Sequence, residues 1–102
     1  ATWCRPCIAE MPDMEKAQAI LENENYIFLF ASDQSVAKIE KFKEARGFNL
    51  NFIKFNGVYA NKGVSALPAT FIYNEVGEQV LRFDGSLKWD SPEMIEKLRA
   101  VQ

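Results

Sequence analysis

The only two cysteines of this 102-residue chain lie three positions apart, in the run Cys4-Arg5-Pro6-Cys7. Pro6 suits the first turn of a helix, where the N–H that proline lacks would have no partner in any case. Small or apolar side chains then recur at spacings of three and four, as along one face of an amphipathic helix. They are Cys7, Met11, Met14, Ala17 and Leu21. The spacing therefore places both thiols at the start of one helix, which we expect Pro12 to kink.

The rest of the chain alternates strand-like and helix-like segments. Residues 26–31 are apolar throughout and β-prone, which predicts a strand buried on both faces. The later elements are a helix from Val36 that stops at Gly47, a short strand within 50–55, a β-hairpin of 70–74 and 79–84, and a last helix from Pro92 that Ser91 caps. The pattern at 58–66 is ambiguous, and a short helical turn is one interpretation. This order predicts one α/β domain over residues 1–102, with helices packed on a mixed sheet.

Composition narrows the classes of function. With 12 Lys+Arg against 14 Asp+Glu and no basic cluster, the chain does not resemble a nucleic-acid-binding protein. It has no histidine, which removes Cys-His and Ser-His catalysis and most zinc sites. The longest apolar run, 26–31, is far shorter than the roughly 20 residues of a membrane-spanning helix. We therefore predict no transmembrane segment, and we see no signal peptide.

The two thiols have different environments in the predicted helix. The first turn of a helix carries unpaired N–H groups and the positive end of the helix dipole, and both stabilise an anion. We therefore predict that Cys4 is the exposed nucleophilic thiolate and that Cys7, one turn further in, is the shielded resolving thiol. The charge of Arg5 would further stabilise the thiolate. Pro6 would stiffen the turn.

Glu10 lies three residues after Cys7 and therefore on the same face of the helix. A carboxylate at this position can accept or return the Cys7 proton, and burial would raise its pKa. The alternative is a solvated helix glutamate without a catalytic role.

Three other interpretations of the cysteine pair compete with redox exchange. A structural zinc site needs four ligands, and this chain offers two cysteines and no histidine, so it would have to be intermolecular. A static disulfide across so short a loop removes little chain entropy and stabilises poorly. The third interpretation is a pair of inert, buried thiols.

Three stretches resemble the thioredoxin superfamily, and within it the TlpA/ResA-like branch of thiol–disulfide oxidoreductases. The first is Trp3-Cys4-Arg5-Pro6-Cys7 with the Glu10-Met11-Pro12 that follows it. The second is the loop and strand at 63–72, and the third is the hairpin turn at 74–80. The resemblance implies a thioredoxin-like fold over the whole chain.

The resemblance also implies roles for individual residues. Pro68 would follow a cis peptide bond and face the two cysteines, and the backbone at Leu67 would pair with an extended substrate segment. Trp3 would cover the disulfide and contact partners, and Glu10 would be the active-site glutamate. The alternatives are a simple turn at Pro68 and plain packing for Trp3. For Trp89 we see only a packing role.

The function implied is thiol–disulfide exchange with protein disulfides or dithiols, with a redox partner that recycles the cysteine pair. No metal or organic cofactor is needed. The usual task of the branch is reduction, as in cytochrome c maturation, in an extracytoplasmic bacterial setting. Within the same class, a cytosolic general thioredoxin is the alternative. Arg5, by contrast, favours an oxidant, because a stabilised thiolate stabilises the reduced form.

The chain departs from this branch before the motif. Members have a strand there, at the centre of the sheet, whereas only three residues precede Cys4 here. The strands predicted at 26–31 and 70–74 would each lose a neighbour. We therefore expect that the chain is part of a longer protein, or that the strand comes from elsewhere.

A different class of function is a non-catalytic thioredoxin-fold module that binds a partner near Trp3 and Leu67. The intact C-x-x-C run counts against it, because a binding module needs neither thiol. A peroxidase is disfavoured, because the chain has no separate, lone cysteine.

Overall fold

The computed structural model describes residues 1–101 and has the predicted alternation of helices and strands. Two 3-10 turns, Glu22–Glu24 and Tyr59–Lys62, lie between the longer elements. The helices and strands are α1 (Arg5–Leu21), β1 (Leu29–Ser32), α2 (Val36–Arg46), β2 (Asn51–Lys54), β3 (Ala69–Tyr73), β4 (Gln79–Asp84) and α3 (Pro92–Arg99). The α/β class is therefore confirmed, as is the hairpin, and the ambiguous residues 58–66 contain the second 3-10 turn.

Local chemistry explains where the helices begin and end. Ser35 and Ser91 are the N-caps of α2 and α3, and each hydroxyl accepts a backbone N–H three residues on. Gly47 ends α2 with a φ of +67°, which glycine adopts without strain. α1 continues through Pro12 to Leu21 without a break in the helix.

The strands form two separate two-stranded sheets. β1 pairs in parallel with β2, with Leu29 opposite Asn51, and β3 pairs antiparallel with β4, with Ala69 opposite Asp84. No strand within residues 1–101 joins the two pairs, so the mixed sheet is present as two halves. This agrees with the expectation that both 26–31 and 70–74 would lack a neighbour.

The strand predicted over 26–31 begins later and is less buried than expected. β1 starts at Leu29, and the side chains of Leu29 and Ala31 are exposed. The prediction of burial on both faces is therefore wrong, because no layer of the described chain covers the face to which these two residues point. The opposite face is covered, since Ser32 is buried and Phe30 packs against the core.

The hydrophobic core lies where α1 packs against α3 and the segment before it. The apolar face of α1 is buried as predicted, from Cys7 to Leu21. Trp89 is among the largest fully buried side chains, and its ring meets Phe83 edge-on at 5.6 Å between centroids. The buried cluster consists of Met14, Ala17, Leu21, Trp89, Met94, Ile95 and Leu98. This core fixes α1, and with it the cysteine pair.

Within residues 1–101, no helix combines the length and the apolar character that crossing a bilayer requires.

Candidate active site

The two cysteines are joined by a disulfide at the N-terminus of α1. The Cys4–Cys7 bond is 2.06 Å long, and Cys4 is the N-cap of the helix. The backbone N–H of Cys7 donates to the Cys4 sulfur at 3.2 Å. One of the unpaired N–H groups of the first turn is therefore aimed at this sulfur, which is the arrangement that stabilises a thiolate after reduction.

The disulfide excludes one of the alternative interpretations of the cysteine pair. The interpretation as two free, inert thiols is wrong, because neither cysteine is free. In the described part of the chain, no cluster of three or more potential metal ligands occurs.

The prediction that Cys4 is exposed is wrong for the disulfide state, whereas Cys7 is shielded as predicted. Cys4 is 3% exposed and Cys7 is 9% exposed. The physical reason is the turn before the helix, in which the Cys4 N–H donates to the Ala1 carbonyl at 3.1 Å and folds the chain back over the cap. The Cys4 sulfur also turns inward to meet the Cys7 N–H.

Gln34, in the loop between β1 and α2, holds this turn from the side. Its Oε1 accepts the backbone N–H of Thr2 at 2.7 Å, and its Nε2 donates to the Thr2 hydroxyl at 2.8 Å. Ser32 orients Gln34, because its hydroxyl accepts the Gln34 backbone N–H at 3.2 Å. The sequence analysis missed Gln34, since nothing in a polar loop signals a partner 32 residues away.

Three of the predicted site residues lie on the surface around the disulfide. Trp3 is 67% exposed, so plain packing is not its role in this structure. Arg5 and Pro6 are also exposed, in the first turn of α1. An exposed ring beside a covered disulfide is suited to contact with another molecule.

The loop before β3 carries the predicted proline. The Leu67–Pro68 peptide bond is cis, Pro68 is buried, and Leu67 is half-buried. Arg82 of β4 anchors the start of this loop by donating to the Gly63 carbonyl at 2.7 Å, and its guanidinium lies 5.2 Å from the centroid of Phe71. A side chain of β4 therefore holds the start of the loop.

Glu10 is buried in α1, one helical turn after Cys7. It is only 7% exposed, so the alternative of a solvated helix glutamate is wrong. Its Oε2 accepts the indole N–H of Trp89 at 2.8 Å and the backbone N–H of Leu87 at 3.3 Å. Burial raises the pKa of Glu10; the two hydrogen bonds partly offset this rise, and the nearby charge of Asp13 adds to it.

Trp89 is the second residue that the sequence analysis missed, because it was assigned only to packing. A signal was available, since a buried indole N–H needs an acceptor. The sequence alone did not identify that acceptor, because Glu10 lies 79 residues away.

The fold, with the disulfide of a C-x-x-C motif at the start of α1, defines this chain as a thioredoxin-like protein. Comparison of the structure supports the fold. A crystal structure assigned as the thiol:disulfide interchange protein DsbE of Chlorobium tepidum matches 96% of this chain and 69% of its own length, with a TM-score of 0.75 at 20% identity.

Sequence comparison points to the ResA-like branch of the thioredoxin superfamily. The chain is 31% identical over 83 residues to the thioredoxin-like protein YneN of Bacillus subtilis (strain 168), an alignment that spans 76% of this chain. It is 28% identical over 102 residues, or 96% of this chain, to the thiol-disulfide oxidoreductase ResA of Geobacillus thermodenitrificans (strain NG80-2). No family model matches the chain.

The chain spans only part of these relatives. The alignments cover 48% of YneN and 59% of this ResA. For the ResA of Geobacillus kaustophilus (strain HTA426), which is 30% identical over 80 residues and 76% of this chain, the share is 46%. The similarity therefore concerns the domain described here.

Proposed function

We propose that this chain is a protein thiol–disulfide oxidoreductase that exchanges disulfides with other proteins through Cys4 and Cys7. The observation that carries the proposal is the Cys4–Cys7 disulfide at the N-terminus of α1, with the Cys7 N–H directed at the Cys4 sulfur. A structural disulfide needs no such donor. Breaking the bond, by contrast, leaves a charge on Cys4 that this N–H and the helix N-terminus stabilise.

The exchange follows from the positions of the two sulfurs. In the reduced chain, the Cys4 thiolate attacks a partner's disulfide, so that a Cys4–partner bond forms and the partner's own bond breaks, releasing one partner thiolate. Cys7 loses its proton and attacks the Cys4 sulfur. The mixed disulfide then breaks, and the Cys4–Cys7 bond forms. Two electrons pass from the chain to the partner, which leaves as a dithiol.

Glu10 takes the Cys7 proton in this second step. It is buried on the face of α1 that carries Cys7, three residues away, where side chains lie about 5–6 Å apart at Cβ. Because its pKa is raised, the carboxylate is a stronger base than an exposed glutamate. Glu10 therefore acts as the acid–base group of the resolving step.

Partner contact involves Trp3, Arg5, Pro6, Leu67 and Pro68. We propose that an extended segment of the partner pairs with the backbone at Leu67, beside Pro68, while the exposed ring of Trp3 packs against it. Because Cys4 is covered in the disulfide state, the turn that contains Trp3 must move when a partner thiolate attacks.

The experiment that tests the function is insulin reduction by the parent chain, Cys4→Ser and Cys7→Ser, with dithiothreitol as the electron source. We expect turnover from the parent only, and a trapped mixed disulfide on Cys4 in the Cys7→Ser variant. Equal turnover by parent and Cys4→Ser would overturn the proposal and favour the non-catalytic binding module, whose partner affinity would not depend on either thiol.

We propose that the physiological direction is reduction, in line with the resemblance to the ResA-like branch. The test is the equilibrium potential of the Cys4–Cys7 couple, measured by thiol trapping in dithiol buffers. A value near that of thioredoxin, about −270 mV, supports a reductant that needs an electron donor; a value near −120 mV contradicts it and indicates an oxidant. We also propose an extracytoplasmic bacterial setting on the same resemblance. Cell fractionation with an antibody against the chain tests that setting.

A further inference from the structure

The segment Ser86–Asp90, here called the 86–90 loop, is fastened along one face of α1. The Ser86 hydroxyl donates to the Pro6 carbonyl at 3.2 Å. At the middle of the loop, Lys88 forms an ion pair with Asp13 at 2.9 Å. Pro6, Glu10 and Asp13 follow one another at spacings of four and three, so they share one face of the helix. The loop therefore runs directly over Glu10.

Two donors of this loop meet the Glu10 carboxylate. They are the Leu87 backbone N–H and the Trp89 indole N–H, which is the shorter contact at 2.8 Å. Trp89 is 1% exposed, and its ring contacts Phe83 edge-on. A phenylalanine could make much of the same apolar packing but could not donate. The hydrogen bond from Trp89 to the buried carboxylate of Glu10 is therefore not explained by packing alone.

We propose that Trp89 is a positioning residue for the exchange reaction, fixing the Glu10 carboxylate on the face of α1 that carries Cys7. The inference rests on the proposed function, because it assigns Trp89 a task only if Glu10 takes the Cys7 proton. It goes beyond that function because Trp89 lies 79 positions from Glu10, in a loop outside the C-x-x-C motif. The proton transfer would then depend on a residue that the motif does not contain.

The charges around Glu10 determine what the hydrogen bond does. Burial and the charge of Asp13 disfavour the ionised form, whereas the Trp89 and Leu87 donors favour it. Lys88 is the nearby cation, and it is shared between Asp13 and Asp90 at 2.9 and 3.0 Å. Without the indole donor, Glu10 would stay protonated to a higher pH and would be unable to accept a proton from Cys7 in that range.

Glu10 also has a route by which to release the Cys7 proton to solvent. A hollow of about 270 Å³ lies between α1 and the 86–90 loop, and its lining includes Glu10, Ala9 and Ser86. The Glu10 carboxyl can pass the proton it has taken from Cys7 to water on this side. The Cys7 sulfur keeps the electron pair with which it attacks Cys4.

The test compares Trp89→Phe with Phe83→Leu, a control that disturbs the same aromatic contact but keeps the indole donor. One readout is the pKa of Glu10, taken from the carbon-13 NMR titration of its carboxyl in the disulfide form and assigned with Glu10→Gln. The other is a single turnover with Ellman's reagent. Its first phase is Cys4 attack, and its second is release of the thionitrobenzoate from Cys4 by Cys7.

In Trp89→Phe, we expect the pKa of Glu10 to rise by about one pH unit, because a hydrogen bond to a charged group is lost. On the acidic limb of its pH–rate profile, the second phase should shift to higher pH by the same amount. At a pH on that limb, release of the thionitrobenzoate should then be about tenfold slower. Phe83→Leu should leave both readouts unchanged. In Glu10→Gln, the pH–rate profile of the second phase should lack this acidic limb, and adding Trp89→Phe to that variant should make no further difference.

The inference is overturned if Trp89→Phe leaves the pKa of Glu10 unchanged. It is also overturned if this pKa moves while the pH–rate profile of the second phase stays the same. The third contrary result is that Phe83→Leu shifts the pKa and the profile as much as Trp89→Phe does. Failure of the proposed function is distinguishable, because it would appear as equal insulin reduction by the parent chain and Cys4→Ser, an assay that does not depend on Trp89→Phe. If Trp89→Phe does not fold, a sulfur isostere, β-(3-benzothienyl)alanine, placed at position 89 keeps the shape of the ring without the N–H, and the same expectations apply.

Discussion

Gln34 and Thr2 bind each other through two hydrogen bonds across 32 residues of sequence. The side-chain amide of Gln34 accepts from the Thr2 backbone and donates to the Thr2 hydroxyl, at 2.7 and 2.8 Å. Thr2 belongs to the turn that covers Cys4, and Gln34 belongs to the loop between β1 and α2. The accessibility of the disulfide is therefore linked to a loop that carries none of the motif residues.

Gln34→Ala should make the disulfide easier to attack. The turn would lose two hydrogen bonds, each contributing about 1 kcal/mol, so reduction by dithiothreitol should be up to about thirtyfold faster. The measurement is the pseudo-first-order rate of Cys4–Cys7 reduction. Ser35→Ala is the matched control, because it changes the residue next to Gln34 and removes the N-cap of α2, but leaves the hydrogen bonds of Thr2 in place. An unchanged rate in Gln34→Ala would show that movement of this turn does not limit attack.

Glu10 should make the stability of the oxidised protein fall with rising pH. Its pKa is raised above the ordinary value of 4.5, so between 4.5 and the raised value the folded state holds a proton that the unfolded state has lost. The free energy of unfolding therefore decreases as pH rises through this window and stays lower above it. Glu10→Gln cannot titrate and should flatten the decrease.

Urea denaturation from pH 4 to 8, with the disulfide intact, measures this dependence. Glu22→Gln is the control, because Glu22 is an exposed carboxylate just beyond α1. Its removal should leave the decrease in place. A parallel decrease in the parent and Glu10→Gln would contradict the assignment of the pH dependence to Glu10.

Arg82→Ala should weaken partner binding more than it slows chemistry. Arg82 holds the Gly63 carbonyl and lies over Phe71, and so fixes the start of the loop that leads to Leu67 and Pro68. A loosened loop must be ordered again when a partner pairs with it, at a cost in free energy. We expect KM for insulin to rise several-fold, with a smaller change in the rate of reaction with Ellman's reagent.

Arg99→Ala is the matched control for Arg82→Ala. Arg82 forms an ion pair with Asp84 on the surface, and Arg99 forms one with Glu24, but on α3. Arg99→Ala should leave KM unchanged. Equal effects of the two variants would mean that loss of surface charge, and not the shape of the loop, alters binding.

The sequence predicted the elements whose signals are local. The C-x-x-C run with Pro6 indicated the start of α1, Ser91 with Pro92 the start of α3, and Gly47 the end of α2. These signals act within one or two turns of the chain, so one segment is enough to recognise them. The burial of Glu10 was only one of two possibilities, because it depends on what packs over α1.

The sequence did not predict features that depend on distant partners. The covering of Cys4, the Thr2–Gln34 contact and the Glu10–Trp89 hydrogen bond each join segments that are brought together only by the fold. The exposure of β1 has the same cause, since an apolar strand is buried only where another layer covers it. The apolar run at 26–31 gives no information on whether that layer is present.

Trp3→Ala should separate partner contact from intrinsic thiol reactivity. Because the ring is largely exposed, its removal should leave the free energy of unfolding within about 0.5 kcal/mol of the parent value. Reaction with Ellman's reagent, a small molecule, should also change little. Insulin reduction should slow several-fold, since a protein partner loses an aromatic contact beside the disulfide. Val76→Ala, at an exposed apolar residue in the turn between β3 and β4, should change none of the three. A large loss of stability in Trp3→Ala would restore plain packing as the role of this ring, and unchanged insulin reduction would remove Trp3 from the partner surface.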